Sequence, residues 1–231
     1  MMKIKMSREV DLGKEPIGKL LLILALPSIT SQVVNALYNM VDRMYIGHID
    51  TIGSTALTGV GVCFPIIMIV SAFAYLLGMG GAPRASIYMG KRKNEEAEKI
   101  LGNCFSSLLI VAILLTAVVL IFKEPLLYLF GASEQTLPYA VQYIEIYAIG
   151  TVFVQLTLGM NAFISAQGFS TISMLTVVIG AITNIILDPI LIFGLMGFPA
   201  MGVAGAALAT VLGQIIAMVY SLYIVFRKDH E

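Results

Sequence analysis

From residue 146 to residue 187 the chain runs for 42 positions without a charged side chain. A helix rises about 1.5 Å per residue, so a single rod of that length would measure roughly twice the ~30 Å hydrocarbon core of a bilayer. The run is too long for one membrane crossing and must fold back on itself. The place to do so is AQGFSTIS (166–173), where a glycine and small polar residues interrupt the apolar sequence. Two crossings follow, at 139–165 and 174–193.

The rest of the chain reads in the same terms. Of its 231 residues 58% are hydrophobic and only 12% are charged, and its mean hydropathy is +0.92. Soluble domains carry roughly 25% charge, so the composition is that of an integral membrane protein. Further spans are expected at 17–41, 60–79, 100–122 and 203–226, six in all. A segment of residues 1–16 precedes them and a tail of residues 227–231 follows. Residues 20–41 are free of charge and are not followed by a small-residue cleavage site, so this first apolar run is expected to be retained as a span. Expected breaks lie at 47–59, at GMGGAP (78–83), at 123–138 and at the Gly/Pro-rich turn 194–202. Glu95 and Lys99 are spaced for an i,i+4 pair on a short surface helix leading into the third span. Net charge is zero and no basic block marks a nucleic-acid site. Cys63 and Cys104 sit in apolar segments, which implies no disulfide framework; His48 and His230 sit near opposite ends of the chain, and no metal cluster is visible in the sequence.

Orientation follows from the basic residues. With the N-terminus inside, the inner segments hold Lys3, Lys5, Arg8, Lys14, Lys19, Arg84, Lys91, Arg92, Lys93, Lys99, Arg227 and Lys228, and the outer side holds Arg43 and Lys123. Twelve against two places both termini in the cytoplasm.

Polar residues inside the spans are the candidates for function. Gln32, Asn35, Asn39 and Asp42 are spaced three, four and three apart and form one stripe on the first helix, opposite Val33, Leu37 and Met40. At that depth such groups line a cavity, a pathway or a partner helix, unless Asp42 and Arg43 are simply the solvated end of the helix. Pro27 removes the hydrogen bond to the Ile23 carbonyl, and a bend is expected there. In the fifth span Asn184 and Asp188 share a face, with Gly180 one turn below, and Pro189 frees the Ile185 carbonyl beside Asp188. Counting rise per residue puts Asp42, Asn184, Asp188 and Thr210 at comparable heights in the outer half of the membrane. An isolated Asp188 there would cost about 2.5–3.5 kcal/mol, so a protected polar site is expected; a structural hydrogen bond to a neighbouring Asn or Thr is the alternative. Glu145 reads as an interfacial carboxylate among Tyr139, Tyr143 and Tyr147. Gln155, Asn161, Gln167 and Gln214 read as helix-packing contacts, and the small residues of 202–213 as a close helix approach.

Several stretches together resemble one family, the multidrug and toxic compound extrusion (MATE) transporters. They are DLGKEPIGKLLLILALPSITSQVVNALYNMVDRMYIG, GGAPRASIYMGKRKNEEAEKILGN, ITNIILDPILIFG and MGVAGAALATVLGQ, and the resemblance extends over essentially the whole chain after residue 11. It implies an all-α membrane fold of twelve spans in two six-helix lobes, of which this chain matches the N-terminal lobe. It implies secondary antiport in the cytoplasmic membrane of a prokaryote, exporting cationic or amphipathic compounds against inward H⁺ or Na⁺, with no cofactor. The family's first-helix aspartate is matched by Asp42, its fifth-helix Asn-x3-Asp by Asn184 and Asp188, and its bending proline by Pro27; Thr210 matches the sixth-helix hydroxyl less securely. Asp42 and Asp188, with Asn184, would then form the protonatable or Na⁺-binding group, lined by Gln32, Asn35, Asn39 and Thr210 and loosened by Pro27 and Pro189. Partners implied are the bilayer, a small cationic or amphipathic substrate, and a second six-helix lobe, either a C-terminal half or another copy.

Three other functions would each leave a different mark on the sequence. A lipid-linked oligosaccharide flippase would favour a basic cavity, whereas only Arg43 and Arg84 lie near span ends. An intramembrane enzyme would need a nucleophile with its base, or metal ligands, at matching depth, and none is legible in the spans. A non-transporting assembly partner is the third.

Overall fold

A computed structural model describes residues 16–226. Six long helices make up almost all of it: α1 (Ile17–Gly47), α2 (Gly53–Gly90), α3 (Asn94–Leu129), α4 (Leu137–Ala166), α5 (Ser170–Phe193) and α6 (Val203–Phe226). A short 3₁₀ turn, Leu195–Gly197, lies between the last two, and the described residues contain no strand. Each of the six is long and apolar enough to cross a membrane.

α4 is the central helix. It packs against α2, α3, α5 and α6, and its buried face carries Tyr143, Tyr147, Thr151, Val154, Gln155 and Met160. The neighbours come close because side chains are missing where the helices touch. A Cβ on Gly78 of α2 would lie 2.9 Å from the Gly159 backbone of α4, so only a glycine lets these two helices meet there. The same holds between α5 and α6, where a Cβ on Gly213 would fall 2.9 Å from the Gly180 carbonyl. α1 is different. It rests mainly on α5, touches α2 and α6 only lightly, and buries only Asp42 and Ile46.

Helix ends depart from the expected breaks in three places. α2 starts at Gly53, so the loop expected over 47–59 shrinks to a few residues. It then runs without interruption through 78–83, where Gly78 and Gly81 serve packing: a Cβ on Gly81 would strike Cys104 Sγ on α3. α3 continues past residue 122. Phe122 leaves helical geometry (φ −107°, ψ 17°) three residues before Pro125, whose missing N–H and ring break the regular ladder, and the helix then resumes to Leu129. The resumed turn is core, with Leu127 fully buried.

The start of α3 is also corrected. Lys99 pairs with Glu96, 2.9 Å away, not with Glu95. Its hydrogen bond holds the Glu96 carboxyl below the ordinary carboxylate range. Glu95 and Glu96 fall in the first turn, where the helix dipole favours acidic groups. Ser170 opens α5 after a left-handed Gly168, and α5 closes on Gly194 (φ 72°), where a Cβ would strike the Ala200 backbone.

Candidate functional site

The site grows from one turn of α5. Asn184 and Asp188 are four residues apart and project from the same face, 2% and 0% exposed. The Asn184 amide donates to Asp188 Oδ1 at 3.1 Å and, across the helix boundary, to Thr210 Oγ1 of α6 at 3.3 Å. The close Gly180–Gly213 approach lies one turn below and sets this distance. Pro189 follows Asp188 within α5, so the Ile185 carbonyl lacks its helical donor.

Asp42 reaches the same region from α1. It is 6% exposed, although its neighbours Arg43 and Met44 are open, and it lies within electrostatic reach of Asp188. The fit of α1 against α5 therefore brings the two carboxylates into one neighbourhood. It leaves three acceptor oxygens buried without a hydrogen-bond donor: Asp42 Oδ1, Asp188 Oδ2 and Asn184 Oδ1. Buried polar atoms are almost always paired, and these acceptors can take a donor: a proton on a carboxylate, a bound cation or a water.

Around them stand tyrosines that sequence reasoning had left out of the site. Tyr143 and Tyr147 of α4 are buried and stacked, their ring centroids 6.4 Å apart at 14°. The Tyr143 hydroxyl lies beside Thr210, and that of Tyr147 beside Ser71 of α2. Tyr38, one turn before Asp42, faces Asp42, Asp188 and Tyr75. A signal for them was present: Tyr143, Tyr147, Thr151 and Gln155 recur every fourth residue, a polar stripe on α4 equal to the one on α1.

Of the other singled-out residues, Asn39 touches the cluster's edge beside Tyr38 and the rest fall outside it. Gln32 and Asn39 are exposed and Asn35 is half-buried, so the α1 stripe faces open space except at Asp42. The Asn39 amide donates to the Asn35 carbonyl at 2.7 Å and to its side-chain oxygen at 3.0 Å, and Gln32 borders a shallow groove with Ser28, Ile29, Val33 and Ala36. α1 runs as one helix through Pro27, with the Ser31 hydroxyl donating to the Pro27 carbonyl at 2.9 Å. Glu145 does not sit with Tyr143 and Tyr147. It turns the other way and pairs with Lys123 of α3. Gln155 is a packing contact, its amide donating to the Val70 carbonyl of α2 at 2.7 Å. Gln214 offers its backbone carbonyl to Thr157 at 3.3 Å, and Asn161 its carbonyl to Ser173 at 3.4 Å.

The MatE family model matches residues 27–190, most of the chain and four of the cluster's helices. Among curated proteins, a relative from Shewanella oneidensis named "FAD transporter" is 30% identical over 213 residues, covering 92% of this chain and 46% of its own length. "Multidrug export protein MepA" of Staphylococcus haemolyticus is 29% identical with the same coverage. Among solved structures, a MATE protein in its bent conformation superposes with a TM-score of 0.83 at 28% identity, covering 93% of this chain and 46% of its own. An outward-facing multidrug resistance MATE transporter superposes with a TM-score of 0.82 at 27% identity. The chain thus spans about half the length of the curated relatives it matches. With its sequence fitting that model and its helices superposing on one half of those twelve-helix structures, this chain belongs to the MATE family of membrane transporters.

Proposed function

We propose that the chain forms one lobe of a secondary antiporter that exports cationic or amphipathic compounds in exchange for H⁺ or Na⁺, together with a second six-helix lobe. The observation that carries this reading is the trio of unpaired acceptor oxygens on Asp42, Asn184 and Asp188. Two buried carboxylates within electrostatic reach of each other resist ionising together unless a cation compensates them. A proton entering the site would neutralise it and weaken its hold on a cationic cargo; loss of that proton to the other side restores the hold, which gives exchange. Sodium would serve through oxygen ligation by Asp188 and Asn184, with both carboxylates charged. Pro27 and Pro189 lie in the two helices that carry the carboxylates and supply points at which those helices can flex. A second lobe is needed because alternating access rocks two repeats about a site between them.

A dianionic flavin, the cargo in the name of one relative, would need cations facing it, and the unpaired groups of this cluster are acceptors. That favours a cation. The test is export of a fluorescent cation from vesicles under an imposed proton or sodium gradient, in the assembled transporter, normalised to protein in the membrane. Asp188→Asn and Asp42→Asn are expected to abolish gradient-driven export while the protein still inserts. Glu145→Gln is expected to leave it unchanged. Full export in both aspartate variants would reduce the cluster to structural hydrogen bonding.

A further inference from the structure

Outside the carboxylate cluster, a groove of about 290 Å³ runs between α2 and α3, lined by Leu76, Leu77, Gly80, Gly81, Arg84, Ile100, Asn103 and Cys104. Its floor exists because two side chains are missing. Gly81 lets α3 come close, and Gly80 is open, with nothing within 4 Å of where its Cβ would stand. Toward the middle of α2 the wall is hydrocarbon, formed by Leu76 and Leu77. Arg84 lies three residues beyond Gly81 toward the end of α2, level with Ile100 of the antiparallel α3, and Asn103 adjoins Cys104 near the level of Gly81. Arg84 and Asn103 are exposed, and neither has a hydrogen-bond or ion-pair partner among the described residues. Arg84 stands five residues, or about 7 Å, beyond Met79, where the hydrocarbon crossing of this helix is expected to end. That is headgroup height.

The charge around the groove has one sign in excess. Directly below Arg84 the chain turns through Lys91, Arg92 and Lys93. The turn is held in place, with Arg92 in the left-handed region (φ 58°) and the Lys93 amide donating to the Tyr88 carbonyl at 2.9 Å. Glu95, Glu96 and Glu98 follow on α3, but Glu96 is occupied by Lys99. Five basic groups against three acidic ones, beside an apolar furrow on a membrane-facing surface, fit an amphipathic anion.

We propose that the α2–α3 groove binds an anionic phospholipid, one acyl chain lying over Gly80 along Leu76 and Leu77 and the phosphate held by Arg84, with Asn103 beside it. Arg84 supplies paired N–H donors for the phosphate oxygens, and its stem lies along the apolar wall. The Lys91–Lys93 turn adds the electrostatic preference over a zwitterionic lipid, about fivefold per basic group near the headgroups.

The test is native mass spectrometry of the purified chain in detergent, offered equimolar phosphatidylglycerol and phosphatidylcholine. The protein is expected to retain one phosphatidylglycerol in severalfold preference. Arg84→Gln should cut the preference about fivefold, and Arg84→Lys should keep most of it. Gly80→Leu should fill the groove and remove retention of either lipid at this site, with helix content by circular dichroism unchanged. The proposal is overturned if Gly80→Leu retains phosphatidylglycerol as the parent does, or if Arg84→Gln keeps the preference. It is equally overturned if soluble glycerophosphate displaces the lipid at equal concentration, since the acyl furrow would then contribute nothing. Should Arg84→Gln not fold, the Gly80→Leu and Arg84→Lys results decide alone.

Discussion

Two glycines two residues apart on α2 have opposite jobs, and the difference can be measured. A Cβ on Gly78 would press on the Gly159 backbone, and backbone in a packed helix pair moves only if the whole helix moves. Gly78→Ala is therefore expected to lower stability by about 1–3 kcal/mol. Gly80→Ala meets open space and should be neutral or gain up to about 1 kcal/mol through helix propensity. Thermal unfolding of both variants in the same detergent checks the pair. Sequence alone could not have told them apart, since GMGGAP reads as a breaker and the partner surface 81 positions away decides. The carboxylate cluster was more legible. Asn184 and Asp188 share a face by spacing alone, and depth counting put Thr210 level with them, where the Asn184 amide bridges the two. What spacing did not yield was the direction of α4. Tyr143 and Tyr147 are amphipathic, so next to Glu145 they read as interfacial, while the fold turns them inward and Glu145 out to Lys123.

Among the elements, α3 shows how a proline can mark a kink where an end was expected. The apolar run stops at Lys123, so the expected span ended there, yet the turn beyond Pro125 folds back onto the core. Leu127→Ala removes a fully buried side chain and is expected to cost about 2–5 kcal/mol, against less than about 0.5 for an exposed position nearby such as Leu129→Ala. Equal, small losses at both positions, read from thermal unfolding, would mean that the second half of α3 is not packed. α1 and α4 make the other contrast. α4 is held by four neighbours and α1 chiefly by one. Amides of 150–160 in α4 are expected to exchange with deuterium far more slowly than those of 30–40 in α1, because opening α1 disrupts much less packing. Hydrogen-exchange mass spectrometry in one detergent reports both.

At the scale of the molecule, large apolar side chains stand exposed along most of the helices, Leu22, Met68, Ile113 and Ile186 among them, which suits a lipid surface. The six-helix count and the all-helical class were readable because lipid demands long uninterrupted apolar runs and the chain supplies them. Which side is which rests on the basic residues. A cysteine at Glu134, exposed between α3 and α4, should label from outside intact cells; one at Asn94 should label only after the inner face is opened. Reversed accessibility would invert the topology. Glu134 is the better probe of its loop, since Thr136 is buried and held by Ser133.

α1 leans on α5, and this sets a timetable for the chain's birth. Synthesis runs from one end, so α1 is made before α5, and its main partner starts about 120 residues later. At 5–20 residues per second the gap lasts roughly 6 to 25 s. For that interval Asp42 has no Asp188 or Asn184 beside it and must wait in or near lipid on a helix that lacks its main support. Its place close to the end of α1 shortens the reach to water while it waits. Nascent chains arrested after α4 should thus hold α1 loosely, open to cross-linking by lipid or by the insertion machinery, and only the emergence of α5 should gather it in.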